Sequence, residues 1–175
     1  FALALGCLLL LIREPLGDLG FSILTGASDV KEAGRAYFDA RILAAPATLL
    51  NFVLFGWVLG KERSDYALVM AVVGNGANIV LDYLFIIRWD LGSSGAGYAT
   101  ALSQYLMAAV GISFVVRMTV WSEFKDALSG LWEKEGMKAL WTLNTDIMIR
   151  SFVLQSAFAL FLNFSATFGT TLLAA

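Results

Sequence analysis

Histidine is absent from this chain, cysteine occurs once and proline only twice. Without imidazole, the usual general acid–base group and the commonest transition-metal ligand are both missing, so no catalytic residue and no metal site are expected. The single Cys7 can form no internal disulfide and lies in an apolar run, where packing is its expected role. Charge is also scarce. Only 15% of the 175 residues are charged, and a net charge of −2 is too small to point to nucleic acid. No basic patch with interleaved aromatics occurs either, so no nucleic acid partner is expected. What is abundant is apolar: 59% of residues are hydrophobic and the mean hydropathy is +0.75. A soluble domain of this length has too little interior for that load, so composition points to an integral membrane protein.

Crossing about 30 Å of hydrocarbon takes roughly 20 residues of helix. Four runs are long enough: Ile42–Gly60, Ala67–Ile87, Ala96–Val116 and Ile147 to about Phe168. A shorter one, Phe1–Ile12, is stopped by "REPLGD", where Pro15 and Gly17 are expected to end the helix. The chain opens inside an apolar run, without an initiator Met, and closes on "TTLLAA", so a longer parent protein is expected. Helix is the default for every span because lipid offers backbone groups no other partner. No run alternates in the way a barrel strand would. Between the fourth and fifth spans, "WSEFKDALSGLWEKEGMKALWTLN" is an amphipathic connection whose Trp121, Trp132 and Trp141 suit a membrane interface. Lys61, Arg63, Arg117, Lys125, Lys134 and Lys138 would share one side, against Arg13, Lys31, Arg35 and Arg88 on the other, with Arg41 ambiguous at a helix entrance. That modest bias puts "KERSDY" and the long connection in the cytoplasm.

The third span holds the unusual residues. In "VVGNGANIVLDYLFII", Asn75, Asn78 and Asp82 fall at i, i+3 and i+7. At about 100° per residue they lie within roughly 60° of one another, forming one polar stripe. A carboxylate at bilayer depth costs at least about 3 kcal/mol on insertion scales, so it is turned inward or neutralised. Such a group can take up a proton and release it when water or a cation arrives. The asparagines can donate to the charged form, and their carbonyls can ligate a hard cation. That chemistry suits a coupling-ion site, whereas a position near Arg88 also allows a headgroup-level cap or pair. Gly74 and Gly76 fit close helix packing. Thr100, Ser103 and Gln104 open the fourth span after the small-residue run "GSSGAGYAT". Tyr37 precedes the second span. Pro46 either bends that span or marks its first turn. Asn51 reads as interhelical glue, and Asp146 with Arg150 as an i,i+4 ion pair.

Three stretches resemble one family. They are "YFDARILAAPATLLNFVLFGWVLG", "VVGNGANIVLDYLFI" followed by "GAGYATALSQY", and "LNTDIMIRSFVLQSAFAL". Together they are similar to the multidrug and toxic compound extrusion (MATE) transporters, with "LNTDIMIRS" narrowing the likeness to the DinF-like branch. The resemblance covers most of the chain from Tyr37 onward and none of Phe1–Lys31. It implies an all-α, polytopic helical membrane protein, holding about helices 3 to 7 of a twelve-helix antiporter. Residues 1–118 would belong to the N-terminal lobe, 119–145 to the cytoplasmic inter-lobe connection, and 146–175 to the first helix of the second lobe.

The same resemblance implies roles. By motif position Asp82 matches the helix 5 carboxylate that takes part in cation coupling, with Asn78 one turn earlier. Tyr37 and Thr100 match a tyrosine and a threonine of the N-terminal cavity, and Asn75 and Gln104 are further candidates for its lining. The partner aspartate on helix 1 would lie upstream of Phe1. The glycines of "GNGAN" depart from the bulkier apolar residues expected there. The implied function is secondary active efflux of organic small molecules, coupled to H⁺ or Na⁺ and needing no other cofactor. The transporter would be monomeric, multi-pass and set in the lipid bilayer of a cell membrane, with an organellar membrane as the alternative. A lipid-linked precursor flippase and a non-transporting membrane fragment or scaffold are the competing readings. An enzyme is disfavoured because no catalytic pair is visible in the spans.

Overall fold

The computed structural model describes residues 1–24, 27–119 and 134–167. Trp121 and Trp132 lie outside the described residues, as do the side chains of Trp141 and Asp146 and therefore the Asp146–Arg150 pairing. The chain divides into two units, Phe1–Ile23 with Ala27–Met118, and Leu24–Gly26 with Thr119–Ala175. All described elements are helical.

The first unit holds six α-helices: α1 (Ala2–Leu11), α2 (Arg13–Ile23), α3 (Ser28–Arg41), α4 (Ala45–Gly60), α5 (Ser64–Asp82) and α6 (Gly92–Met118). Pro15 and Gly17 do not end the first helix as expected. The break falls at Ile12, and Pro15 sits in the first turn of α2, where its missing N–H has no intrahelical partner to lose. Gly17 is buried because a side chain there would strike Arg35 and Phe38 of α3. Arg35 ties α2 to α3 by bridging Asp18 at 2.6 Å and Asp39 at 3.2 Å. Cys7, expected to pack, is exposed.

α3 and α4 are joined by a single 3₁₀ turn, Ile42–Ala44, so that Ser28–Gly60 forms one 33-residue rod. Pro46 stands in the first turn of α4, just past that turn. The α4–α5 turn is tight: Arg63 N–H donates to Val58 O at 3.1 Å, and Glu62 takes a φ of 59°. The Arg63 guanidinium lies 4.0 Å over the Tyr66 ring and 2.8 Å from the Asp65 carboxylate. That hydrogen-bonded carboxylate raises the Arg63 pKa further. After Asp82 the helix widens into a π-turn over Tyr83–Arg88, with Trp89 N–H donating to Leu84 O at 3.0 Å. Asp90 and Gly92, at φ 53° and 55°, then reverse the chain into α6.

The interior of this unit is made of small residues. Ala40, Ala44, Ala47, Ala99, Ala101 and Ala108 are buried, and only Met70 and Val58 are large apolar side chains at full burial. Large apolar groups such as Phe52, Val72, Ile79 and Val80 instead face outward. That inversion is what lipid demands. Hydrocarbon outside is as apolar as leucine, so helices associate through close backbone approach rather than by hiding large side chains. α6 supplies the approach surfaces. A Cβ on Gly97 would lie 2.8 Å from Tyr37 O of α3, and one on Gly111 would lie 2.7 Å from Met70 Cε of α5. Gly74 is likewise closed off by Met107, 2.8 Å away at Sδ, whereas Gly76 faces open space. Tyr66 stacks on Phe114 at 4.4 Å to close the far end of the α5–α6 pair.

Of the second unit, α7 (Lys134–Thr167) is described as one continuous helix that extends well before the apolar run beginning at Ile147. Its segment Met148–Ser165 is long and apolar enough to cross a membrane, as are Ser28–Gly60, Ser64–Arg88 and Gly92–Met118 of the first unit.

Gly97→Leu should destabilise the bundle by about 1–3 kcal/mol through overpacking against α3. Gly76→Ala should be neutral or stabilising by up to about 1 kcal/mol, because it adds helix propensity in open space. Thermal unfolding of both variants in detergent checks the pair.

Candidate functional site

The polar stripe of the third span lies on α5, and the helix reaches its last α-helical residue at Asp82. Asp82 is half-buried, and among the described residues it makes no hydrogen bond or ion pair. About 9 Å of helix separates it from Arg88, which marks the end of the uncharged run.

Asn78, one turn before Asp82, is half-buried as well. Its Nδ2 donates to Thr100 Oγ1 of α6 over 3.4 Å, a long and weak bond. The Thr100 hydroxyl donates its own proton to Ala96 O at 2.9 Å, which leaves the oxygen facing Asn78 as an acceptor. Asn78 Oδ1 is then free to serve a cation or a donor beside Asp82. The Asp82 carboxylate and the Asn78 amide thus lie one turn apart on α5, with the Thr100 hydroxyl of α6 against Asn78, and oxygen ligands of these kinds suit a hard cation. Among the described residues no cluster of three or more His, Cys, Asp or Glu could hold a metal ion.

Tyr37 reaches this neighbourhood through its backbone. Its carbonyl packs on Gly97, one turn before Thr100, while the residue as a whole remains 41% exposed. Asn75 is exposed, and among the described residues no hydrogen bond joins it to Asn78, Asp82 or Thr100. Gln104 belongs to a different pairing. Asn51 of α4 donates through Nδ2 to both Gln104 Oε1 at 2.8 Å and Gln104 O at 2.9 Å. Asn51 is only 2% exposed, so this clamp is dry and joins α4 to α6 one turn below Thr100. The sequence marks both amides but does not reveal that they pair, since their spacing of 53 residues carries no periodic signal. A third tie was also invisible there: Tyr105 OH donates to Leu43 O in the 3₁₀ turn at 2.9 Å.

Asn51→Ala should cost about 1–2 kcal/mol, because it removes a buried double hydrogen bond in an apolar setting. Asn75→Ala should change stability by less than about 0.5 kcal/mol, as expected for an exposed site. Melting curves in one detergent decide between them.

The geometry can be set beside known proteins. The MatE family pattern matches residues 1–84, so the likeness extends into Phe1–Lys31, where none was expected. DNA damage-inducible protein F of Escherichia coli K12 is 34% identical over 99% of this chain and 38% of its own length. Protein DETOXIFICATION 43 of Arabidopsis thaliana is 31% identical over 79% of this chain and 28% of its own. Multidrug export protein MepA of Staphylococcus aureus is 29% identical over 66% of this chain and 26% of its own. This chain therefore spans well under half the length of each of these relatives. No solved structure matches it. With apolar spans, a polar stripe and relatives of this kind along nearly its whole length, the chain belongs to the MATE family of membrane proteins, on its DinF-like side.

Proposed function

We propose that these helices form part of a cation-coupled efflux transporter, with Asp82 as a coupling carboxylate and Asn78 as its neighbouring ligand. The observation that carries the reading is the Asn78–Thr100 hydrogen bond, which fixes the α5 stripe against α6 one turn from an otherwise unpaired carboxylate. An intramembrane acid with no ion-pair partner is costly, and such residues mark functional sites by default. The relatives support the direction of transport, one of them being named a multidrug export protein. Tyr37, Thr100, Asn75 and Gln104 would line the same lobe's cavity. The exported molecules would be organic and small, the coupling ion H⁺ or Na⁺, and the setting a cell membrane crossed several times.

Mechanistically, coupling requires that ion and substrate bind two states of the protein with different affinities, and the shift cannot exceed that difference. Two helical lobes would rock about the cavity. Cation binding at Asp82 would favour the state that releases substrate, and loss of the cation would favour the state that takes it up. Asn78 and Thr100 do not change charge in this cycle; they hold the stripe in place and contribute oxygen ligands.

In the full-length protein reconstituted into liposomes, Asp82→Asn should abolish efflux driven by a proton or Na⁺ gradient while leaving the protein inserted. Undiminished uphill transport by that variant would remove Asp82 from the mechanism. Asn78→Ala and Thr100→Ala should reduce the rate by about tenfold or less, since each removes one weak contact worth roughly 1 kcal/mol.

A further inference from the structure

We propose that α2 and α3 form one hinged flap, which turns against the rest of the first unit about Ile12 on one leg and Ile42–Ala44 on the other.

The hinge is drawn by the chain's two prolines, Pro15 and Pro46. Pro15 has no N–H to offer Leu11 O, and Pro46 has none for Ile42 O, which takes the Ala45 N–H in a tighter 3₁₀ bond instead. Both interruptions stand at one level. Gly6 of α1 closes on the backbone of Pro46. Further along the same leg, a Cβ on Gly17 would lie 2.8 Å from Arg35 Cζ and 3.0 Å from Phe38 Cε1. The two legs therefore run antiparallel, and Leu11, midway between those contacts, falls opposite Ile42. A 3₁₀ turn inside a long helix and a proline-interrupted ladder are places where helices bend. Two of them side by side let the hairpin fold over with little further loss of hydrogen bonding.

The contacts divide at the same level. On the flap side, α2 and α3 hold each other: Arg35 bridges to Asp18 at 2.6 Å, and the Phe21 ring meets Phe38 edge-on at 6.2 Å. A Cβ on Gly34 would lie 3.0 Å from the Phe21 ring, so that packing is close. On the other side, α1 holds α4 at Gly6, and α4 holds α6 through Asn51. Burial stops at the hinge as well. α4 buries Pro46, Ala47, Asn51, Leu54 and Val58, whereas α3 buries Ala40 alone, next to the turn, and α2 buries Gly17 alone. A segment with so few buried contacts belongs to the low-stability end of a fold. α6 runs unbroken past this level and supplies the pivot. Tyr105 OH donates to Leu43 O inside the turn, and Gly97 holds Ala40 and the Tyr37 carbonyl beside it.

Tyr37 rides on the flap, so under the transport reading its motion would alter access to the cavity beside Thr100. The hinge itself does not rest on that reading, and its test uses neither substrate nor gradient. Spin labels are placed in pairs on a cysteine-free form of the full-length protein in liposomes, and distances are read by double electron–electron resonance. The exposed pairs are Leu19 with Val30 for α2 against α3, Leu5 with Phe52 for α1 against α4, and Val30 with Tyr98 for the flap against α6. The first two should each give one narrow distance. The third should be about twofold broader, or split in two. Replacing both prolines, Pro15→Ala with Pro46→Ala, should return it to the narrow width, while Gly76→Ala, outside the hinge, should leave it broad. Melting shows whether the double variant is folded; if it is not, the two single variants carry the test, each narrowing the distribution in part. The proposal is overturned if Val30–Tyr98 is as narrow as the other pairs, or if Leu19–Val30 is equally broad, so that α2 and α3 move separately. It is overturned equally if folded proline variants keep the full width, or if Gly76→Ala narrows it as much as they do.

Discussion

The close approach of α6 to its neighbours is the contact on which the rest of the first unit depends. In hydrocarbon, large apolar side chains gain nothing by turning inward, so the helices are held by backbone proximity and by the few polar pairs that proximity allows. Gly97 lets α6 touch the backbone of α3, Gly111 lets it meet Met70 and Leu54, and Met107 fills the notch left by Gly74. Each polar tie between α6 and the other helices follows from that spacing. Asn78 reaches Thr100, Asn51 reaches Gln104 and Tyr105 reaches Leu43. A bulkier α6 would push all three beyond hydrogen-bond distance together.

These ties differ in kind, and the difference separates scaffold from site. The Asn51–Gln104 clamp is short, doubled and dry, as suits a permanent joint. The Asn78–Thr100 contact is 3.4 Å long and joins two half-buried residues next to an unpaired carboxylate. A bond that weak costs little to break or to exchange for a cation ligand, which a coupling site needs and a joint does not.

Much of this was legible in the sequence because membrane helices declare themselves. Runs such as Ile42–Gly60 and Ala96–Val116 lie inside observed helices, and the stripe of Asn75, Asn78 and Asp82 can be drawn from helical period alone. The stripe did not show how its members face their surroundings: Asn75 ends exposed while Asn78 meets α6, and 60° of arc is enough to separate them. Boundaries were less legible. Pro15 looked like a terminator but opens α2, since proline is tolerated in a first turn as readily as it ends a helix. The join of α3 to α4 through a 3₁₀ turn leaves no composition signal, because Ser28–Arg41 is polar and reads as loop when judged by hydropathy. Cys7 is exposed because an apolar run does not dictate which of its residues turn inward.

The π-turn adds a constraint on how the proposed coupling can work. Asp82 lies between two contacts with α6, the first weak and the second close. Before it, Asn78 bonds Thr100; after it, Phe85 packs so closely on Gly95 that a Cβ there would lie 3.2 Å from the Phe85 carbonyl. Leu91 N–H also donates to Phe85 O at 3.0 Å, and Phe85 stacks on Trp89 at 5.0 Å, so the wide turn is held on both of its sides. The backbone around Asp82 is thus braced within its own bundle. For a cation to bind two states with different affinities, something near the carboxylate must nevertheless change. With α5 and α6 fixed to each other, that change has to come from the weak Asn78–Thr100 contact, from the side chain of Asp82 itself, or from helices that approach the stripe from outside this bundle. Of these three, only the last leaves every joint described here unstrained.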